Sequence, residues 1–307
     1  MPVLKGRDFL TLADFSAKEI TAILKKSQAL SHLKRPPQLL KMKNIALIFQ
    51  KPSTRTRVSF ETAISLLGGH PVSLSWNEMQ LGRGETISDT AKVLDRYVDA
   101  IMARVFSHDD LIELAENAEA PVINGLSDKY HPCQILADLL TLMQHKKRLK
   151  GLKLAYVGDG NNVCNSLLIG CAKTGVNISV ARPEGYGPDH EAIALAKIAA
   201  QESGSEIVIS DDPEEAVRGS DAVYTDTFVS MGMEKEKETR ERIFLPRYQV
   251  NEQLFFLAKP DALFLHCLPA HRGEEVTANV IDGPNSVVWD EAENRQHTSK
   301  GLLALIL

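Results

Sequence analysis

Four cysteines in 307 residues, at positions 133, 164, 171 and 267, form no C-x-x-C pair, so neither a zinc-site spacing nor a disulfide framework is indicated. Cys133, Cys164 and Cys171 stand among apolar residues and read as reduced core thiols. The chain also lacks a long Lys/Arg block, and a net charge of −5 argues against nucleic acid as the main partner. No uninterrupted apolar run approaches the length of a membrane span. The opening residues Met1 to Asp8 lack the apolar core of a signal peptide. The expectation is a cytoplasmic protein without a membrane partner. Repeats and low-complexity tracts are absent too. What is left, 44% hydrophobic and 24% charged, is an ordinary globular composition with enough length for two α/β domains.

Short apolar runs alternate with helical periodicity along the whole chain. Strands are expected at 44–49, 71–76, 100–106, 121–124, 152–157, 176–181, 206–210, 221–225, 261–266 and 286–289. Between them fall helices, the first behind a Ser16/Glu19 capping box with Ile20, Ile23, Leu24 and Ser27 on one face. The polar stretch 77–86, with Gly82 and Gly84, reads as a long loop, and the charged run 232–242 as a solvated helix or loop. The last segment, 291–306, reads as a helix. This rhythm predicts an α/β protein of two domains, each a parallel β-sheet flanked by helices. Lys150-Gly151 marks the boundary, giving domains 1–149 and 150–307, with the final helix packing back toward the first.

The chemistry concentrates where strands end. After the run 44–49 comes Gln50-Lys51-Pro52-Ser53-Thr54-Arg55-Thr56-Arg57, and Pro52 delays the next helix to Ser53 or later. An ordinary cap needs one hydroxyl, and the dipole disfavours cations in a first turn. Three hydroxyls and two guanidiniums on unpaired helix N–H groups instead suit a tetrahedral oxyanion such as phosphate. Arg104 is embedded in an apolar strand, where a charge must be paired or face a cleft. His131-Pro132-Cys133-Gln134 sets a histidine immediately before a helix that begins with proline. Gly158-Asp159-Gly160-Asn161-Asn162-Val163 is only half of a dinucleotide fingerprint. Val163 replaces the third glycine and no acid follows the next strand, which speaks against a nicotinamide site. Asp226 and Cys267-Leu268-Pro269 close two further strands, and Arg295 lies at the start of the last helix.

Together these residues resemble the aspartate/ornithine carbamoyltransferase family, and its ornithine branch in particular. The S-T-R-T-R run at 53–57, H-P-C-Q at 131–134, Asp226 with Ser230-Met231-Gly232, and H-C-L-P at 266–269 carry the resemblance over nearly the whole chain. It implies transfer of the carbamoyl group of carbamoyl phosphate to the side-chain amine of L-ornithine, giving citrulline and phosphate, with no metal or cofactor. A related enzyme acting on another amine, such as putrescine, is the alternative. By resemblance, Ser53, Thr54, Arg55, Thr56 and Arg57 hold the phosphate. Arg104, His131 and Gln134 bind the carbamoyl oxygen, and Cys267, Leu268 and Arg295 complete the grip on the carbamoyl end. Asn162, Asp226, Ser230 and Met231 surround ornithine, with Asp226 and Cys267 orienting the amine and helping to take its proton. The Leu268-Pro269 bond is expected to be cis. In the family the 77–86 loop reaches a neighbouring subunit's site, where Gln80 touches carbamoyl phosphate, so a homotrimer or a multiple of trimers is implied. Some relatives carry a lysine in this loop, where this chain has Arg83.

Overall fold

The computed structural model of the chain describes residues 4–229 and 233–307. They form two compact units, one running to Leu140 and including Glu293–Leu307, the other comprising Thr141–Ala292.

The first unit opens with α1 (Ala17–Ser31), whose capping box between Ser16 and Glu19 is fully formed. Next come β1 (Asn44–Phe49), α2 (Thr54–Leu66), β2 (His70–Ser75), α3 (Ile87–Leu94), β3 (Ala100–Arg104), α4 (His108–Asn117), β4 (Val122–Leu126) and the start of α5 (Pro132–Lys146). The four strands pair in parallel in the order β2-β1-β3-β4. A parallel sheet is covered on both faces, which is why β1 and β3 are apolar and buried almost throughout. One cluster of this core joins Ala46 and Ile48 of β1, Ile101 and Ala103 of β3, and Leu111 and Leu114 of α4. The 77–86 stretch is more ordered than the sequence suggests: two 3-10 turns, Trp76–Glu78 and Gln80–Arg83, occupy it, and Gly84 ends the second at φ +98°.

The second unit contains β5 (Lys153–Val157), α6 (Asn162–Thr174), β6 (Asn177–Ala181), α7 (His190–Ser203), β7 (Ile207–Ser210), α8 (Pro213–Val217), β8 (Ala222–Thr225), α9 (Lys237–Phe244), α10 (Glu252–Phe255), β9 (Leu263–Leu265) and α11 (Ala278–Ile281). Its five strands are again parallel, in the order β7-β6-β5-β8-β9. The expected strand at 286–289 does not form. Ser286 makes a single bridge to Phe264, and the final helix, α12 (Val288–Ile306), begins two residues later. The reason is local: Phe264 accepts from Val287 and donates to Asn285, so one residue of β9 uses up the pairing. The charged run is solvated only in part. Within α9, Arg240 and Phe244 share one face and are buried.

The closing stretch of α12 belongs to the first unit, where it lies close against α1. A Cβ on Gly301 would come within 2.0 Å of Ser27 Oγ, so only glycine permits this approach.

Candidate active site

In an open parallel sheet, ligands bind beyond the carboxyl ends of the strands, at the point where the strand order reverses. In the first unit the chain moves from β1 outward to β2 and then back across to β3. The reversal therefore lies between β1 and β3. There Gln50 N–H donates to the Arg104 carbonyl at 2.9 Å and Phe49 is in register with Arg104. The hydroxyl-and-arginine corner thus stands beside Arg104 for a topological reason.

Ser53 caps α2, its Oγ accepting from Thr56 N–H at 3.2 Å. Thr54 is exposed, Arg55 half-buried and Thr56 buried. Arg57 is exposed, pairs with Glu61 at 3.6 Å and lies over the Phe49 ring. Arg104 retains only 5% of its accessible surface. His131 precedes α5, its carbonyl accepting from Gln134 N–H at 3.0 Å and Ile135 N–H at 3.4 Å. Arg295, brought in by α12, is the hub. Its Nη1 donates to Gln134 Oε1 at 2.5 Å and sits 3.4 Å from His131 Nε2, while its Nη2 donates to Thr56 Oγ1 at 3.4 Å.

Gln134 also donates through Nε2 to Asp138 Oδ1 at 2.8 Å. A donor-only guanidinium on one side and an acceptor on the other fix the amide's orientation. Asp138 had no sequence signal beyond being an acid, fully buried, in the middle of an apolar helix. Burial first, then the charges of Arg295, Arg104 and Arg55, hold the His131 pKa well below the usual 6.5. The imidazole is neutral, and three guanidiniums act on one buried group. An anion would balance them. Cys133 is no part of this chemistry: burial pushes its thiol up to about 12, and Sγ donates to the Asn124 carbonyl at 3.2 Å. Gln80 opens its 3-10 turn with an exposed side chain.

The second sheet reverses between β5 and β8. The loop after β5 carries Asp159 to Asn162, and β8 ends at Asp226. Asn161 caps α6, its Oδ1 accepting from Val163 and Cys164 N–H, and its Nδ2 donates to Asp226 Oδ2 at 2.7 Å. Asn162, which the resemblance assigns to ornithine, begins α6 half-buried. Thr227 N–H at 2.8 Å and Cys267 Sγ at 3.0 Å both donate to Asp226 Oδ1. The acid and the thiol therefore meet as expected, and the Leu268-Pro269 bond is cis. Ser230, Met231 and Gly232 lie outside the described residues.

A further buried pair went unread in the sequence. Arg240, from the charged run, donates through Nη2 to Asp159 Oδ2 and through Nε to the Phe228 carbonyl. Burial raises the Asp159 pKa to about 6, against the pull of Arg240 and with a contribution from Asp226. The i, i+4 placement of Arg240 and Phe244 in α9 was the available signal.

The remaining cysteines match their reading, with Cys133, Cys164 and Cys171 buried and Cys267 partly exposed. Among the described residues, no helix is long and apolar enough to cross a membrane.

Comparison with known proteins agrees with this two-part arrangement. Residues 7–144 match the family model of the aspartate/ornithine carbamoyltransferase carbamoyl-P binding domain, and residues 150–306 match that of the Asp/Orn binding domain. The ornithine carbamoyltransferase of Pyrococcus abyssi is 56% identical over 307 residues, covering 99% of this chain and 96% of the relative. That of Bacillus subtilis is 56% identical over 304 residues, covering 99% and 95%. The solved ornithine carbamoyltransferase of Pyrococcus furiosus superimposes with a TM-score of 0.96 at 55% identity, covering 100% of this chain and 98% of that one. The chain belongs to the aspartate/ornithine carbamoyltransferase family.

Proposed function

We propose that this protein transfers the carbamoyl group of carbamoyl phosphate to the side-chain amine of L-ornithine, releasing citrulline and phosphate. The observation that carries this reading is the contrast between the two switch points. One gathers Arg55, Arg104 and Arg295 around a neutral His131; the other gathers a carboxylate and a thiol, Asp226 and Cys267. The first suits a doubly charged acyl phosphate. The second suits an amine. Aspartate, with a second carboxylate where ornithine carries its amine, would meet Asp226 as a like charge.

In this reading Ser53, Thr54, Arg55, Thr56 and Arg57 hold the phosphate. Arg104 and His131 donate to the carbamoyl oxygen as charge develops on it. Next to a donor-only guanidinium, His131 Nε2 accepts and the ring proton sits on Nδ1; Nε2 becomes a donor when the substrate draws Arg295 away and that proton shifts from Nδ1 to Nε2. Gln134, its amide nitrogen already given to Asp138, offers its carbonyl to the carbamoyl NH2 group. The Cys267–Leu268 turn takes the same end of the substrate, and Asn162, Asp226, Ser230 and Met231 take ornithine.

A free amine of this kind is protonated at pH 7, so one proton must leave before attack. Asp226, held by Asn161, Thr227 and Cys267, orients the amine and receives that proton. The nitrogen lone pair then forms the N–C bond, and the carbonyl electrons move to oxygen. As they return, the attacking nitrogen, now positively charged, passes its second proton to a phosphate oxygen, the C–O bond to phosphate breaks and the phosphate departs with that electron pair. No group on the protein forms a covalent bond. Holding both reactants in order supplies much of the acceleration.

The reading includes a homotrimer or a multiple of trimers, with the 77–86 segment completing a neighbour's site, a cytoplasmic location, and a functional boundary at 149/150. Its test is a citrulline assay with carbamoyl phosphate and, in parallel, ornithine, aspartate and putrescine. Ornithine is expected to be turned over at least about a hundredfold more efficiently than either rival, the margin of about three unmade polar contacts. Equal turnover of putrescine, which has no carboxylate to position, would replace the reading by its alternative.

A further inference from the structure

The turn at Cys267-Leu268 is held by a buried network that the mechanism does not use. Leu268 sits at φ +59°, a left-handed conformation that a branched residue rarely adopts, so its surroundings must impose it. Three backbone N–H groups around it are each claimed by a buried side chain. His266 N–H donates to Glu291 Oε2 at 2.9 Å, Leu268 N–H to His266 Nδ1 at 2.9 Å, and His271 N–H to Glu275 Oε1 at 2.5 Å. Glu275 Oε1 also meets His266 Nε2 at 3.2 Å. Both Glu275 and Glu291 are completely buried.

The protonation pattern of His266 follows from the partners. A backbone amide only donates, so Nδ1 must carry the lone pair and the proton resides on Nε2, which donates to Glu275. The opposite tautomer would set two N–H groups against each other at Leu268. Glu275 itself stays ionised: burial works to raise its pKa, but hydrogen bonds from His266 and the His271 N–H bring it below the ordinary carboxylate value.

We propose that Glu275 is a positioning residue for carbamoyl transfer: by accepting from His266 Nε2 it fixes the imidazole that holds the Leu268 amide, and so aims the Cys267 and Leu268 carbonyls. It does not itself touch a reactant. The inference rests on the proposed reaction only in what those carbonyls are aimed at.

The experiment compares Glu275→Ala with Glu275→Gln, and His266→Leu with His266→Asn. Glutamine keeps an acceptor for His266, and asparagine keeps an acceptor for Leu268 N–H close to the place of Nδ1. The removing substitution in each pair is expected to lower kcat at least about tenfold below the preserving one, the scale of one buried hydrogen bond. Binding of inorganic phosphate, whose groups lie at residues 53–57, is expected to stay within about twofold in all four. Imidazole 15N shifts should show the Nε2–H tautomer at His266 in the native protein and in Glu275→Gln, and its loss in Glu275→Ala. Equal kcat in Glu275→Ala and Glu275→Gln would overturn the proposal. So would parallel loss of kcat and phosphate binding, the mark of a merely structural role. If Glu275→Ala fails to fold, the His266 pair and the tautomer in Glu275→Gln decide the matter, and an Nδ1–H tautomer in the native protein overturns it. Failure of the native protein to make citrulline would refute the proposed function alone, because the tautomer measurement needs no turnover.

Discussion

Arg295 and Gln134 stand 161 residues apart in the chain, yet Arg295 Nη1 lies 2.5 Å from Gln134 Oε1. The contact joins the final helix to the helix that begins beside His131, and the same guanidinium reaches Thr56. A planar fork can serve three partners in fixed directions; a lysine ammonium is a point charge.

Arg295→Lys is accordingly expected to lower kcat/KM for carbamoyl phosphate by roughly 10- to 150-fold, the range of one lost charge-assisted hydrogen bond. KM for ornithine should change by less than about threefold, because that substrate is assigned to other groups. Steady-state kinetics with each substrate varied in turn separates the two effects. A loss confined to ornithine would take Arg295 out of the carbamoyl phosphate site.

Asp226 carries the complementary expectation. Asp226→Asn keeps the shape but removes the charge and the proton acceptor. It should lower kcat/KM for ornithine by about 10²–10⁴-fold, the usual contribution of a positioned base. Phosphate binding, measured by calorimetry, should be untouched. Cys267→Ser retains a donor to Asp226 Oδ1 and should stay within about tenfold of the native enzyme. A serine variant as damaged as Asp226→Asn would mean that the thiol acts by something other than this hydrogen bond.

Nearly every strand was legible because parallel sheets demand continuous apolar runs, and β1 and β5 show them plainly. The failure at 286–289 has the same origin. Val287 and Val288 look like a strand, but only one residue of β9 is available to pair with. At the site, residues whose type is costly to bury announced themselves: Arg104, His131, Asp226 and Arg295. Those that act by orienting another group did not. Asp138, Asn161 and Glu275 are common residue types whose work depends on partners 4, 65 and 9 positions away, respectively. Spacing along one chain does not encode such partnerships.

The depressed pKa of His131 sets a stability prediction with a definite sign. In the unfolded chain this histidine binds a proton as pH falls through about 6.5, while in the native protein burial and then Arg295, Arg104 and Arg55 oppose it. The unfolded state therefore holds more protons below that pH, and native stability must fall as pH falls. Compared with His131→Asn, which cannot titrate there, the native protein should lose stability between pH 7 and 5 with a slope approaching 1.4 kcal/mol per pH unit, as a rough ceiling. Denaturant titrations of both proteins across that range measure it. Parallel curves would show that His131 takes up its proton in the folded protein as readily as in the unfolded chain.

The proposed trimer can be tested through the exposed side chain of Gln80, in the turn at Gln80–Arg83. One variant, Arg55→Ala, disables the phosphate corner; a second, Gln80→Ala, disables the segment offered to a neighbour. Each is expected to be inactive alone. The two are denatured together and refolded as an equal mixture, with mixed trimers confirmed by differential tagging. In a cyclic trimer every subunit lends its segment to one neighbour, so each mixed trimer holds one site with both defects, one with a single defect and one with neither. Random assortment makes about three-quarters of the trimers mixed, and roughly a quarter of all sites should regain native composition by that arithmetic. Recovery near that fraction places Gln80 in the adjacent subunit's site. Confirmed mixed trimers without activity would show that the segment does not act across the interface, and full activity of Gln80→Ala alone would show that Gln80 is dispensable.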